Sequence, residues 1–172
     1  MQTLVNELQE TITILNNILE SIDSSKIDAT PFEGSWSAGQ VLEHVDLAIS
    51  PGLLEGTTQP VSRPADQKVA TVRNAFLDFN TKFKSPAFIE PRQHVHDKSA
   101  LQASINEKFD DLIEAAKELD LSRECLDFEV PGMGLFTRME WISFYMIHTQ
   151  RHNHQLQKIA SCLHAKDART TS

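Results

Sequence analysis

The sequence predicts an all-α fold, an antiparallel four-helix bundle with an additional helix in one connection. Three observations lead there. Apolar residues recur at three- and four-residue steps along most of the chain, three segments open on capping boxes, and no alternating strand pattern competes except a short FEV at 128–130. With 172 residues, 40% of them hydrophobic, and no internal repeat, the chain is expected to form one domain over residues 1–165, followed by a polar, frayed tail at 166–172.

The first helix, expected over 3–22, places Leu4, Leu8, Ile12, Leu15, Ile18, Leu19 and Ile22 on one side. The second starts after Ser37, where SAGQ is a capping box of the S-x-x-Q kind and Trp36 and Val41 stand at the hydrophobic-staple positions. Its inward stripe is Val41, His44, Val45 and Ala48, and Pro51 closes it. Residues 51–64 are rich in Gly, Pro and Thr and read as a loop. The additional helix is expected over 65–83 from the spacing of Val69, Val72, Phe76 and Phe79, with Ser85-Pro86 as its stop. SALQ at Ser99 reads as a second capping box, and Leu101, Ile105, Phe109, Leu112, Ile113 and Ala116 carry that helix to about Leu119. A loop bearing VPGMG follows. The last helix opens on TRME at Thr137, with Phe136 and Trp141 at the staple positions. No breaker appears until beyond Leu163, which allows a helix of about 40 Å at 1.5 Å per residue.

The formal net charge is -8 and Lys and Arg form no runs, which argues against nucleic acid and anionic membrane surfaces as partners. No stretch approaches the roughly 20 apolar residues that span a bilayer, and MQTLVNELQE has no basic segment followed by an apolar run, so neither export nor membrane insertion is expected. Cys125 and Cys162 lie far apart with no CxxC pair. Reduced thiols in a cytoplasmic protein are the simplest reading, rather than a disulfide or a cysteine-built zinc site.

FYMIHTQRHNHQ, at 144–155, packs three of the seven histidines into seven residues. His148 and His152 fall on one line with Trp141, Tyr145, Ile159 and Leu163, because residues three, four or seven apart return to the same helix face. His154 is turned about 200° from His152 and is expected to be solvated with Arg151 and Lys158. Two imidazoles at i, i+4 can share one zinc or nickel ion, and His44 is the other histidine on an inward stripe of a well-capped helix. Three imidazoles would leave coordination positions open, as in catalytic rather than closed structural sites. A buried neutral histidine satisfied by hydrogen bonds is the competing reading for each of the three. His94 and His96 read as solvated loop residues, and His164 as a cation-compatible group near the helix C-terminus. Glu43, Asp46 and Gln155 are the polar groups nearest in sequence that could orient an imidazole. Trp36 and Trp141 read as staples and core rather than a substrate platform.

FEGSWSAGQVLEHV, from Phe32 to Val45, resembles the tryptophan-serine opening and second-helix histidine of DinB-like and YfiT-like proteins. Gly134, Thr137, Glu140, Trp141, His148, Arg151, His152 and Gln155 are similar to that family's last-helix pattern of G, T-x-x-E-W and H-x-x-R-H-x-x-Q. The resemblance covers nearly the whole chain in helix order, with specific motifs in these two segments. It implies a four-helix bundle, one divalent metal, zinc or nickel, on His44, His148 and His152, and a homodimer. It also implies hydrolysis or thiol-dependent S-transfer on a small-molecule substrate, with a low-molecular-weight thiol as a possible co-substrate.

Metal-assisted activation of water or a thiol is therefore the first functional reading, with Glu43 and Asp46 as the candidate general bases. Neither cysteine is placed to be the nucleophile, since Cys162 lies some 15 Å along the helix from His152. The alternative is a non-catalytic metal-binding sensor or scaffold, in which the ion joins facing helices and contributes stability.

Overall fold

The structure, a computed structural model, describes residues 2–170. Five helices carry it: α1 (Gln2–Glu20), α2 (Ala38–Ala48), α3 (Val69–Phe76), α4 (Lys98–Glu118) and α5 (Arg138–Thr170). Helices α1 and α2 each pack against both α4 and α5. That places α1 and α2 on one diagonal of a four-helix bundle and α4 and α5 on the other. The additional helix α3, in the α2–α4 connection, lies against α5.

The apolar stripes meet at the centre. Leu8, Leu15 and Leu19 of α1, Val41, Leu42 and Val45 of α2, Ile105, Phe109 and Leu112 of α4, and Ile142, Leu156 and Ile159 of α5 are all buried. Truncating one such leucine to alanine would cost about 2–5 kcal/mol. Polar side chains set the register between helices. Asn153 Nδ2 donates to Thr11 O at 3.0 Å and Gln150 Nε2 to Thr11 Oγ1 at 3.0 Å, tying α5 to α1. Asn16 and Asn106 join α1 to α4 at 2.8 Å.

Both bundle helices that carry the site begin on reciprocal caps. Gln40 N donates to Ser37 Oγ and Ser37 N to Gln40 Oε1; Glu140 N donates to Thr137 Oγ1 and Thr137 N to Glu140 Oε2. The staple rings Phe136 and Trp141 stand 5.2 Å apart. Ser99 does not open α4. Asp97 does, its side chain accepting from the free amide of Ala100, the third helical residue, at 3.0 Å. Helix α5 runs 33 residues, about 50 Å and longer than expected. It carries most of the expected tail with it, while Thr171 and Ser172 lie outside the described residues.

Helix α3 is much shorter than the expected 65–83. Asp78 stops it by accepting from Asn80 N and Thr81 Oγ1, and Arg151 of α5 collects the carbonyls of Phe76, Asp78 and Thr81. The 51–64 loop is partly regular: Pro51–Glu55 forms a 3-10 turn, and β1 (Thr58–Gln59) pairs antiparallel with β2 (Glu124–Cys125), Thr58 opposite Cys125. The FEV segment forms no strand. Val130 instead closes a turn onto Gly134, with Gly132 and Gly134 at φ of 78° and 74°, angles that need glycine. Under β2, the fully buried Glu140 carboxylate takes both guanidinium nitrogens of Arg63 at 2.6 and 2.8 Å and the Lys68 amide at 2.8 Å.

Candidate metal centre

Helix α2 presents His44 and helix α5 presents His148 and His152, one turn apart, to the same point between the two helices. The Nε2 atoms of His44 and His148 are 3.1 Å apart, and those of His148 and His152 are 3.2 Å apart. Three nitrogens about 2.0–2.1 Å from one tetrahedral ion stand roughly 3.3 Å from each other, so the spacing suits a shared cation.

The far nitrogens set the tautomers. His44 Nδ1–H donates to the Ile89 carbonyl at 2.8 Å and His152 Nδ1–H to Gln155 Oε1 at 2.8 Å, which turns both Nε2 lone pairs inward. His148 Nδ1 is buried with no hydrogen-bond partner among the described residues, and the Phe144 ring lies stacked against the imidazole at 5.9 Å.

Electrostatics hold all three imidazoles neutral. Burial lowers the His44 pKa against the opposing pull of the Ile89 carbonyl. Burial also pushes His148 well down, helped by His152 and His44, and takes His152 to about 3, helped by His44. Neutral imidazoles are the form that ligates metal. A single proton on His148 Nε2 could satisfy one neighbour's lone pair but not both, so the donor set fits a cation better than it fits a closed hydrogen-bond network.

The histidines line one side of a cavity of about 1090 Å³. Trp36 tilts against His44 with ring centroids 5.2 Å apart, and Phe76 and Phe144 flank His148. Both tryptophans line this cavity, so they form its walls as well as packing at helix starts.

Glu43 and Asp46 do not join the site. Glu43 is buried and accepts from Arg92 N, Gln93 N and His96 Nε2, fastening the 89–97 segment to α2. Asp46 faces α4, pairing with Lys108 Nζ at 2.9 Å and Ser104 Oγ at 2.6 Å. Residues adjacent to His44 in sequence are rotated away from it by the helix, which is why proximity along the chain misleads.

His154 corrects the helix-face expectation. It is half-buried and stacks on Phe79 at 3.8 Å, and with Arg151 and Lys158 it lines the same cavity as His152. Segment 77–86 folds back over α5 and covers a face that the isolated helix would leave in water. His96 is also not solvated. Its Nδ1 meets Asp28 Oδ1 at 2.5 Å and its Nε2 meets Glu43 Oε2 at 2.9 Å, while His94 is exposed. His164 reaches Ser21 O at 2.7 Å, serving the end of α1 rather than that of its own helix. Cys125 is buried and outside the cavity lining, and Cys162 is half-buried beside it. The Ile89 carbonyl that orients His44 carries no sequence signal, since any residue offers one.

No helix among the described residues is long and apolar enough to cross a membrane. Among curated proteins none matches the chain. The fold is similar to that of YfiT from Bacillus subtilis, described as a probable metal-dependent hydrolase with an unusual four-helix bundle topology, at 18% identity and a TM-score of 0.60 over 93% of this chain and 85% of that one. The family model of the DinB superfamily matches residues 7–156, which span α2, the capping box of α5 and all three clustered histidines, and the chain belongs to that superfamily.

Proposed function

We propose that the chain is a metal-dependent enzyme acting on a small molecule, with one divalent ion, zinc or nickel, held by His44, His148 and His152. The observation that carries this is the trio of inward Nε2 atoms, 3.1 and 3.2 Å apart, on the wall of an open cavity. A bound ion supplies Lewis acidity that brings a water or a small thiol towards its anionic, nucleophilic form near pH 7. Hydrolysis by such a water, or S-transfer by such a thiol, is the reaction we assign to it.

The chain's own groups divide the remaining work. Ile89 and Gln155 hold two imidazoles in the ligating tautomer, the aromatic walls exclude bulk water, and the open side leaves room for substrate. A site with three protein ligands beside a cavity favours an enzyme over a closed structural site or a scaffold. The same reading takes residues 1–165 as one domain of a cytoplasmic homodimer.

Elemental analysis of purified protein tests the ligand set, with about one ion per chain expected. Turnover tests the class: the loaded protein should hydrolyse model esters, amides or lactams, or transfer a small thiol to an electrophile. Stoichiometric metal with no turnover in either panel would leave the non-catalytic sensor or scaffold.

A further inference from the structure

The charge around the cavity runs against the charge of the chain. The protein carries a formal -8, yet the residues lining the cavity include Lys82, Lys84, Arg151 and Lys158 against the single carboxylate of Glu90. Arg151 is spoken for, since its guanidinium binds three backbone carbonyls and lies 5.1 Å over the Phe83 ring. The three lysines are exposed and make no hydrogen bond or ion pair among the described residues. An acidic protein that gathers unpaired ammonium groups at one concave opening creates a local positive field there, and low-dielectric walls focus it. The walls are apolar: Phe32, Phe79, Phe83 and Phe88 are each about half-exposed, at 53%, 45%, 49% and 57%.

From this juxtaposition we infer that the substrate is an amphipathic organic anion, its apolar body against the phenylalanine walls and its anionic group at Lys82, Lys84 and Lys158. A cavity of about 1090 Å³ accommodates a molecule of drug-like size beside the histidines. The inference rests on the proposed function in taking this cavity as the substrate site, and it adds the substrate's class. Lysines act as point charges, so they select the sign of the anion and leave its geometry open.

The test compares two fluorescent probes of the same apolar body, anilinonaphthalene sulfonate and uncharged phenylnaphthylamine, on metal-loaded protein. Trp36 and Trp141 are the chain's two tryptophans and both line the cavity, so energy transfer from them reports binding there. The sulfonate should bind about tenfold more tightly than the neutral probe. That preference should disappear in the Lys82→Gln/Lys84→Gln/Lys158→Gln variant and in about 1 M salt, where the Debye length falls to about 3 Å. Metal content and the thermal midpoint, measured on the same samples, check that the variant is folded and loaded. Equal affinity for the two probes, an unchanged sulfonate affinity in the variant, or no cavity binding of either probe overturns the inference. If that happens with one ion per chain present, the metal site stands without it. A sulfonate preference in protein that binds no metal would sink the metal reading and leave the anion site.

Discussion

Gln155 Oε1 lies 2.8 Å from His152 Nδ1 and determines which imidazole nitrogen faces His44 and His148. One turn of helix separates the pair, so Gln155 acts through His152 rather than on substrate. Replacing it with alanine should weaken metal affinity about 10–100-fold, the usual loss when a hydrogen bond behind a ligand is removed. Competition with a chelator of known affinity measures this, and Gln155→Glu, which keeps the acceptor, should retain most of the affinity.

The ligand assignment separates two histidines six residues apart. His148→Ala should abolish stoichiometric metal, whereas His154→Ala should leave it unchanged despite lining the same cavity, because its ring is committed to Phe79. Metal retained in the first variant, or lost in the second, would contradict the assignment. Both are read by elemental analysis after dialysis.

Gly39 is where α2 admits the His96 ring. A Cβ there would lie 2.6 Å from His96 Nδ1 and 2.7 Å from Asp28 Oδ1, closer than such atoms tolerate. Gly39→Ala should therefore destabilise the fold by about 1–3 kcal/mol, although alanine is the better helix former. Chemical denaturation gives the difference, and a neutral or stabilising outcome would show that the His96 network can shift freely.

The same network contributes stability that is lost towards alkaline pH. Burial disfavours charge on His96, but the carboxylates of Asp28 and Glu43 outweigh it and hold the pKa above the ordinary histidine value. The raised folded-state pKa stabilises the fold fully below the unfolded value of about 6.5 and ceases to do so as pH rises through the folded value. At the acid end, burial works against Glu43, but the amides of Arg92 and Gln93 and the His96 hydrogen bond hold its pKa below the ordinary value, so that contribution is lost only as pH falls through that lowered value. The facing charges are thus Asp28 from the α1–α2 connection and Glu43 from α2. The stability that wild type holds over His96→Gln should be largest below about pH 6.5 and shrink as pH rises above it. Thermal midpoints of the two proteins compared across pH read this, because the lowered pKa values of His44, His148 and His152 act alike in both.

Glu140 closes the cap of α5 and binds Arg63 through both carboxylate oxygens. Glu140→Ala would leave the partly buried Arg63 guanidinium without its bidentate partner and the Lys68 amide without an acceptor, at a cost of about 3–5 kcal/mol. Calorimetry should show the loss, with Arg63→Ala similarly destabilised because it strands a fully buried carboxylate.

What the sequence determined by itself was local. Helical periodicity, the caps at Ser37 and Thr137 and the i, i+4 step of His148 and His152 depend on neighbours within one or two turns, and these were legible residue by residue. The tertiary structure decided what covers the faces. His44 meets His148 across 104 residues, His96 meets Asp28 across 68, and Arg151 draws 76–81 over α5 so that His154 becomes a cavity wall instead of a solvated side chain. Periodicity says which side of a helix points in a given direction. Which segment lies on that side is fixed by long-range packing and carbonyl contacts that leave no pattern in the chain.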